Sequence, residues 1–176
     1  VTTIPPPVAF NPLVFQVKAG AESRTFKVPL FGYHHVPNIL AAVTAAQSLG
    51  MSLEDIRERA QHLYAPKHTM ELKHDADGRI VLDDTYSANP TGACAALESL
   101  RLLATAGRKV VVMPSLIELG AASDRVHEEI GRKIAEMCDL AIITTFDGFS
   151  ALERGIGDVE KSAYEPDPQK ILNMLL

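Results

Sequence analysis

Apolar and polar positions alternate at the start of the chain. "LVFQVKA" and "RTFKVPL" both show this two-residue rhythm around "GAES", which predicts two strands closed into a hairpin. The rhythm then lengthens. "VPNILAAVTAAQSLG" predicts a helix, with Pro37 suited to its first turn, an Ala-rich body and Gly50 suited to the position just past its end. "SLEDIRERAQHLYA" predicts a second helix, where Ser52 as N-cap and Asp55 three residues on approximate a capping box. The two helices are expected to pack as a small unit. Residues 1–12 are Pro-rich and read as extended.

From residue 69 the pattern changes. "TMELKHD" and "IVLDD" read as two strands joined at Asp77-Gly78. Continuous apolar runs then alternate with helical segments: a helix over 91–104, a strand in "RKVVVMP", a helix over 122–137, a strand in "LAIITT", a short helix over 148–154 and a helix over 167–176. Apolar strands alternating with helices predict an α/β domain with a mostly parallel sheet covered on both faces. Ligands of such sheets sit at the carboxyl ends of the strands. That places loops 83–90, 114–120 and 144–149 on one rim.

Charge sharpens the division. The 176 residues carry a net charge of −5. Residues 1–72 hold 6 Lys/Arg against 5 Asp/Glu, and residues 73–176 hold 11 against 17, which marks a boundary near residue 72. The acidic balance argues against a nucleic-acid-binding surface. No apolar run of about 18 residues exists, so no membrane insertion is expected, and the start shows no signal peptide. The chain opens on Val1 rather than Met, which reads as a piece of a longer protein. Cys94 and Cys138 read as buried free thiols of a reducing cytoplasm.

The chemistry concentrates in "VLDDTYSANP". Adjacent strand residues point to opposite faces. One of Asp83 and Asp84 can therefore hold the following turn while the other reaches a ligand. The plainer alternative is that both solvate a strand end or cap a helix. Asn89-Pro90 suits a helix start, whose free N–H groups can face an anion or simply be capped. Glu118 in "PSLIELG" is either a partner-facing carboxylate or a hinge or cap residue. The pair His34-His35 lacks a third ligand at metal-site spacing, so no metal site is expected. No G-x-x-x-x-G-K-[ST], G-x-G-x-x-G or G-x-S-x-G occurs, so the chain shows no phosphate-cradling loop and no catalytic nucleophile of its own.

Four segments in order, "GYHHVPNILAAVTAAQSLG", "APKHTMEL", "IVLDDTYSANPTGACAAL" and "VVVMPSLIELG" followed by "HEEIG", resemble the Mur ligase family over roughly residues 24–150. These are the ATP-dependent amide-forming enzymes of peptidoglycan assembly. "DDTYSANP" is most similar to the branch that adds D-alanyl-D-alanine to UDP-MurNAc-tripeptide. The resemblance implies that residues 1–72 are the tail of a central ATP-binding domain. Residues 73–176 would be a Rossmann-like C-terminal domain, incomplete at its end. It implies a nucleotide site of His34, Asn38, Thr69 and Asp84, with Asn38 toward adenine and Asp84 on the ribose. Asp83, Tyr86, Ser87 and Asn89 would line the cleft near the amino substrate, with Asp83 fixing the loop.

Two departures stand out. The family's second-position Asn is His35 here, and its phosphate-reaching arginine is Thr69, which has neither the charge nor the fork of donors. The implied reaction makes an acyl phosphate from ATP, which the dipeptide amine attacks. Its P-loop, Mg²⁺ ligands and UDP-sugar site would lie outside this chain, leaving the piece inactive alone. A monomer is expected. Two other readings remain open: a related ligase of the folylpolyglutamate or cyanophycin synthetase type, and a non-catalytic α/β binding module.

Overall fold

The computed structural model describes residues 12–75, 77–103 and 107–176. The chain forms two compact units, Val1–Ser87 and Ala88–Leu176.

In the first unit, strands β1 (Leu13–Ala19) and β2 (Glu22–Val28) pair antiparallel in the expected hairpin, from Leu13 opposite Val28 to Ala19 opposite Glu22. Alternation puts Leu13, Val17, Phe26 and Val28 on the buried face. Helix α1 (His35–Ser48) turns Ile39 and Val43 onto that face, and Gly50 closes its end at φ +89°, as a left-handed C′ residue should. Helix α2 (Leu53–Ala60) adds Leu53, Ile56 and Ala60. Ser52 caps it by accepting the Asp55 N–H at 3.1 Å. This helix stops five residues short of the expected end. Its apolar stripe runs out at Ala60, and Leu63 beyond it is exposed. Strands β3 (Glu71–His74) and β4 (Ile80–Asp83) form a second antiparallel hairpin across Asp77-Gly78.

The second unit is the α/β half. Strands β5 (Val110–Met113), β6 (Leu140–Ile143) and β7 (Ser162–Tyr164) form a parallel sheet in the order β5-β6-β7. Strand β6 is buried along its whole length, as a central parallel strand must be. Helices α3 (Pro90–Ser99), α4 (Ser123–Met137), α5 (Phe149–Ile156) and α6 (Pro168–Leu175) cover it. Leu97, Ile130, Ile134, Ile143, Leu152 and Ile156 make the larger core, while Leu140, Ile142 and Ile171 make a smaller one.

The expected α/β class with a parallel sheet is thus present. One placement is corrected. Strand β4 pairs only with β3 among the described residues, so loop 83–90 leaves an antiparallel hairpin rather than the parallel rim. Strand β7 had not been anticipated. Both thiols are free; Cys138 is buried and pushed up to about 11 by that burial, and Cys94 is half-buried. No helix among the described residues is long and apolar enough to cross a membrane. Residues 1–11 and 104 of the expected elements lie outside the described residues.

Candidate functional site

In the first unit the segment ahead of β3 is stitched to the end of β4. His68 and Met70 both hold left-handed backbone, at φ +60° and +48°. Non-glycine residues stay there only when their surroundings impose it. The impositions are visible. Glu71 accepts the His68 N–H at 3.0 Å, Asp84 accepts the Met70 N–H at 3.0 Å, and the Tyr86 N–H donates to the His68 carbonyl at 2.9 Å. Thr69 sits half-buried between the two strained residues.

The two adjacent carboxylates divide their work. Asp83 is saturated: Oδ2 meets Lys73 Nζ at 2.5 Å and His68 Nδ1 at 2.8 Å, while Oδ1 accepts from the Thr85 N–H at 3.2 Å and hydroxyl at 2.7 Å. Burial opposes its ionisation, but these donors outweigh it and hold the carboxyl far below the usual carboxylate range. Among the described residues Asp84 makes one side-chain hydrogen bond, through Oδ1, and its Oδ2 has no partner there. The pair is therefore unequal: Asp83 is bonded through both oxygens, and Asp84, just past the end of β4, through Oδ1 alone among the described residues.

His68, Glu71 and Asp83 also bring ligand atoms within metal-chelating distance of one another. The position is already served by a cation, because Lys73 Nζ lies 3.1 Å from Glu71 and 2.5 Å from Asp83.

His34 and His35 stack with ring centroids 4.1 Å apart. Burial lowers the pKa of His34 while the Asp84 charge opposes this, so His34 lies within the field of the available carboxylate. Burial, then the His34 charge, lowers His35 to about 4, and its Nε2 is buried without a partner. Asn38, one turn along α1, is exposed. Tyr86 and Ser87 are exposed at the unit's end. Asn89 belongs to the second unit, where Oδ1 caps α3 by accepting the Gly92 N–H at 2.8 Å, and its Nδ2 has no partner among the described residues.

The second unit has its own rim where loops 114–120 and 144–149 leave β5 and β6. A recess of about 280 Å³ is lined by Ala88, Pro114, Ser115, Leu116, Ile117, Thr145 and Asp147. The Ser115 N–H donates to Thr145 Oγ1 at 2.7 Å. Glu118 takes φ +64°, so this glutamate is a bend in the loop with an exposed side chain.

Behind the rim lies a residue that sequence reasoning passed over. His127 is 1% exposed, and its Nε2 accepts the Leu116 N–H at 3.0 Å. The signal was present in the spacing, because 127, 130, 131 and 134 form the buried stripe of α4.

Residues 68–176 match the family described as Mur ligase, glutamate ligase domain. Two curated relatives carry the name UDP-N-acetylmuramoyl-tripeptide--D-alanyl-D-alanine ligase. The one from Bacillus subtilis is 32% identical over 64% of this chain and 24% of its own length. The one from Escherichia coli is 33% identical over 66% of this chain and 25% of its own length. Among solved structures, MurF from Acinetobacter baumannii superposes with a TM-score of 0.81 at 32% identity, over 94% of this chain and 35% of that one. The chain spans about a quarter of the length of those curated relatives.

Proposed function

This chain belongs to the Mur ligase family, and we propose that it serves an ATP-dependent ligase of peptidoglycan precursor synthesis. The ligase joins D-alanyl-D-alanine to UDP-MurNAc-tripeptide. The observation that carries the reading is the split between the adjacent carboxylates. Asp83 is consumed by four donors, and Asp84 keeps an oxygen free beside His34. A carboxylate with one free oxygen suits a pair of ribose hydroxyls. The names of the curated relatives support the choice of substrates.

In this proposal Asp84 holds the ribose of ATP. Asn38 offers the adenine edge an amide that both donates and accepts. His34 lies in the field of Asp84, and Thr69 supplies one hydroxyl where an arginine would supply charge. Lys67 is the exposed cation two residues away. Tyr86, Ser87 and the free Nδ2 of Asn89 contact the amino substrate, and Asp83 holds the loop that carries the first two.

Mg²⁺ would neutralise charge on the phosphates. In this proposal its ligands lie outside this chain, as the family resemblance implies. The join between central and C-terminal domains is placed at residue 72. The protein works in the cytoplasm as a monomer. Its chemistry is amine attack on an acyl phosphate, where positioning and charge stabilisation lower the barrier.

The test is ADP release by the complete natural protein that contains this chain. The reading predicts turnover only with both UDP-MurNAc-tripeptide and D-alanyl-D-alanine. Turnover with glutamate acceptors instead would move the protein to the folylpolyglutamate-type ligases. No ATP consumption with any acceptor would make it a binding module.

A further inference from the structure

We propose that His127 is a positioning residue. Its buried imidazole holds loop 114–120 in the conformation that shapes the recess around Ser115, Thr145 and Asp147. The inference deepens the ligase reading, and only its kinetic arm rests on that reading.

The "HEEIG" segment has two buried members, His127 and Gly131. Gly131 is explained by packing. A Cβ there would lie 2.3 Å from the Leu152 carbonyl oxygen, so only glycine lets α4 and α5 approach this closely. His127 is not explained by packing. An aliphatic residue would fill the stripe without the cost of burying a polar ring. The ring's two nitrogens show what it does instead. Nδ1 lies 2.8 Å from the Ser123 carbonyl oxygen, so it donates, and this leaves Nε2 as the acceptor for the Leu116 N–H at 3.0 Å. The ring also rests on the loop after β6, where a Cβ at Gly148 would lie 2.8 Å from its Cε1; that glycine also has φ +78°.

Loop 114–120 is thus held at consecutive residues. The Ser115 N–H is tied to Thr145, and the Leu116 N–H is tied to His127. Two consequences follow. Glu118 stays at φ +64°, a strained conformation for a non-glycine residue that persists only when its surroundings impose it. Ile117 stands 78% exposed beside a Ser115 that is 6% exposed and whose hydroxyl has no partner. A buried hydroxyl left unpaired in the recess wall is an unfilled hydrogen bond for a ligand. The recess keeps that shape only while Leu116 is pinned.

The variants His127→Gln and His127→Asn, made in the complete natural protein, separate positioning from packing. The Gln amide oxygen reaches the place of Nε2 and still accepts from Leu116. Asn reaches only the place of Nδ1 and serves Ser123 alone. The expected result is hydrogen exchange of the Leu116 amide about ten-fold faster in the Asn variant and near wild type in the Gln variant, at equal melting temperatures. The KM for D-alanyl-D-alanine should rise about ten-fold with Asn and recover with Gln, with the KM for ATP unchanged.

Equal exchange in the two variants, or effects that simply follow melting temperature, would overturn the proposal. If the Asn variant does not fold, the imidazole ¹⁵N shifts of the wild type decide. Nε2 as an unprotonated acceptor supports it, and a proton on Nε2 overturns it. Wild-type protein without ligase turnover would overturn the ligase reading, while exchange and ¹⁵N shifts still judge this one.

Discussion

The Nδ1 of His68 lies 2.8 Å from Oδ2 of Asp83, and this contact binds the segment ahead of β3 to the end of β4. Lys73 reaches the same oxygen, so a single carboxylate anchors two elements and relieves Asp84 of that task. The adjacent aspartates are therefore unequal in stability as well as in chemistry.

Removing the anchor measures this. Asp83→Asn keeps the shape but loses the charge that Lys73 faces. It should destabilise the protein by about 1–3 kcal/mol at neutral pH in denaturant unfolding. The folded Asp83 carboxyl is depressed below its unfolded value of about 3.9. Its contribution is thus complete above roughly pH 5 and drains away as pH falls through the unfolded value and below. The gap between wild type and variant should close over that range. A gap independent of pH would mean that the charge contributes nothing.

His35 makes a second pH prediction. Its folded value is lowered to about 4 by burial and then by His34. A depressed histidine contributes stability that is whole above the unfolded value of about 6.5 and is lost toward pH 4. His35→Asn installs the amide that the family resemblance expects and cannot titrate. Its stability curve should be flatter than wild type between about pH 6.5 and 4. Parallel curves would show that His35 is as free to protonate in the fold as out of it.

The α4–α5 crossing makes a steric prediction. Added Cβ atoms at Gly131 and Gly155 would lie 2.3 Å from the backbone oxygens of Leu152 and Glu128. Backbone cannot rotate away as a side-chain tip can. Gly131→Ala should therefore cost on the order of 3 kcal/mol and lower the melting temperature by several degrees. A melting point equal to wild type would mean that the helices can separate without loss.

Local signals made most of this architecture readable in advance. Alternation marked β1 and β2, Ser52 and Gly50 marked helix ends, and the buried apolar run of β6 marked a parallel strand. What stayed hidden depends on partners distant in sequence. "IVLDD" shows that a strand exists but not which strand it pairs with, so loop 83–90 was assigned to the wrong sheet. Strand β7 is three residues, Ser-Ala-Tyr, too short to show a period. His127 stood in "HEEIG" without an assigned role, because its partners Leu116 and Gly148 lie 11 and 21 positions away. The strain at His68, Met70 and Glu118 is a backbone property that their side chains do not announce. Within the candidate site, residue types pointed to the carboxylate pair, the family resemblance assigned Asp84 to the ribose and Asp83 to the loop, and geometry added the four donors that hold Asp83.

The most direct measurement is steady-state kinetics of Asp84→Ala in the complete natural protein, with ATP varied and both other substrates saturating. The account predicts a KM for ATP raised by about ten-fold or more, since a charged hydrogen-bonding partner is lost, with melting temperature reduced far less than in Asp83→Asn. An unchanged KM for ATP in a folded Asp84→Ala protein would contradict the claim that this strand end faces a nucleotide.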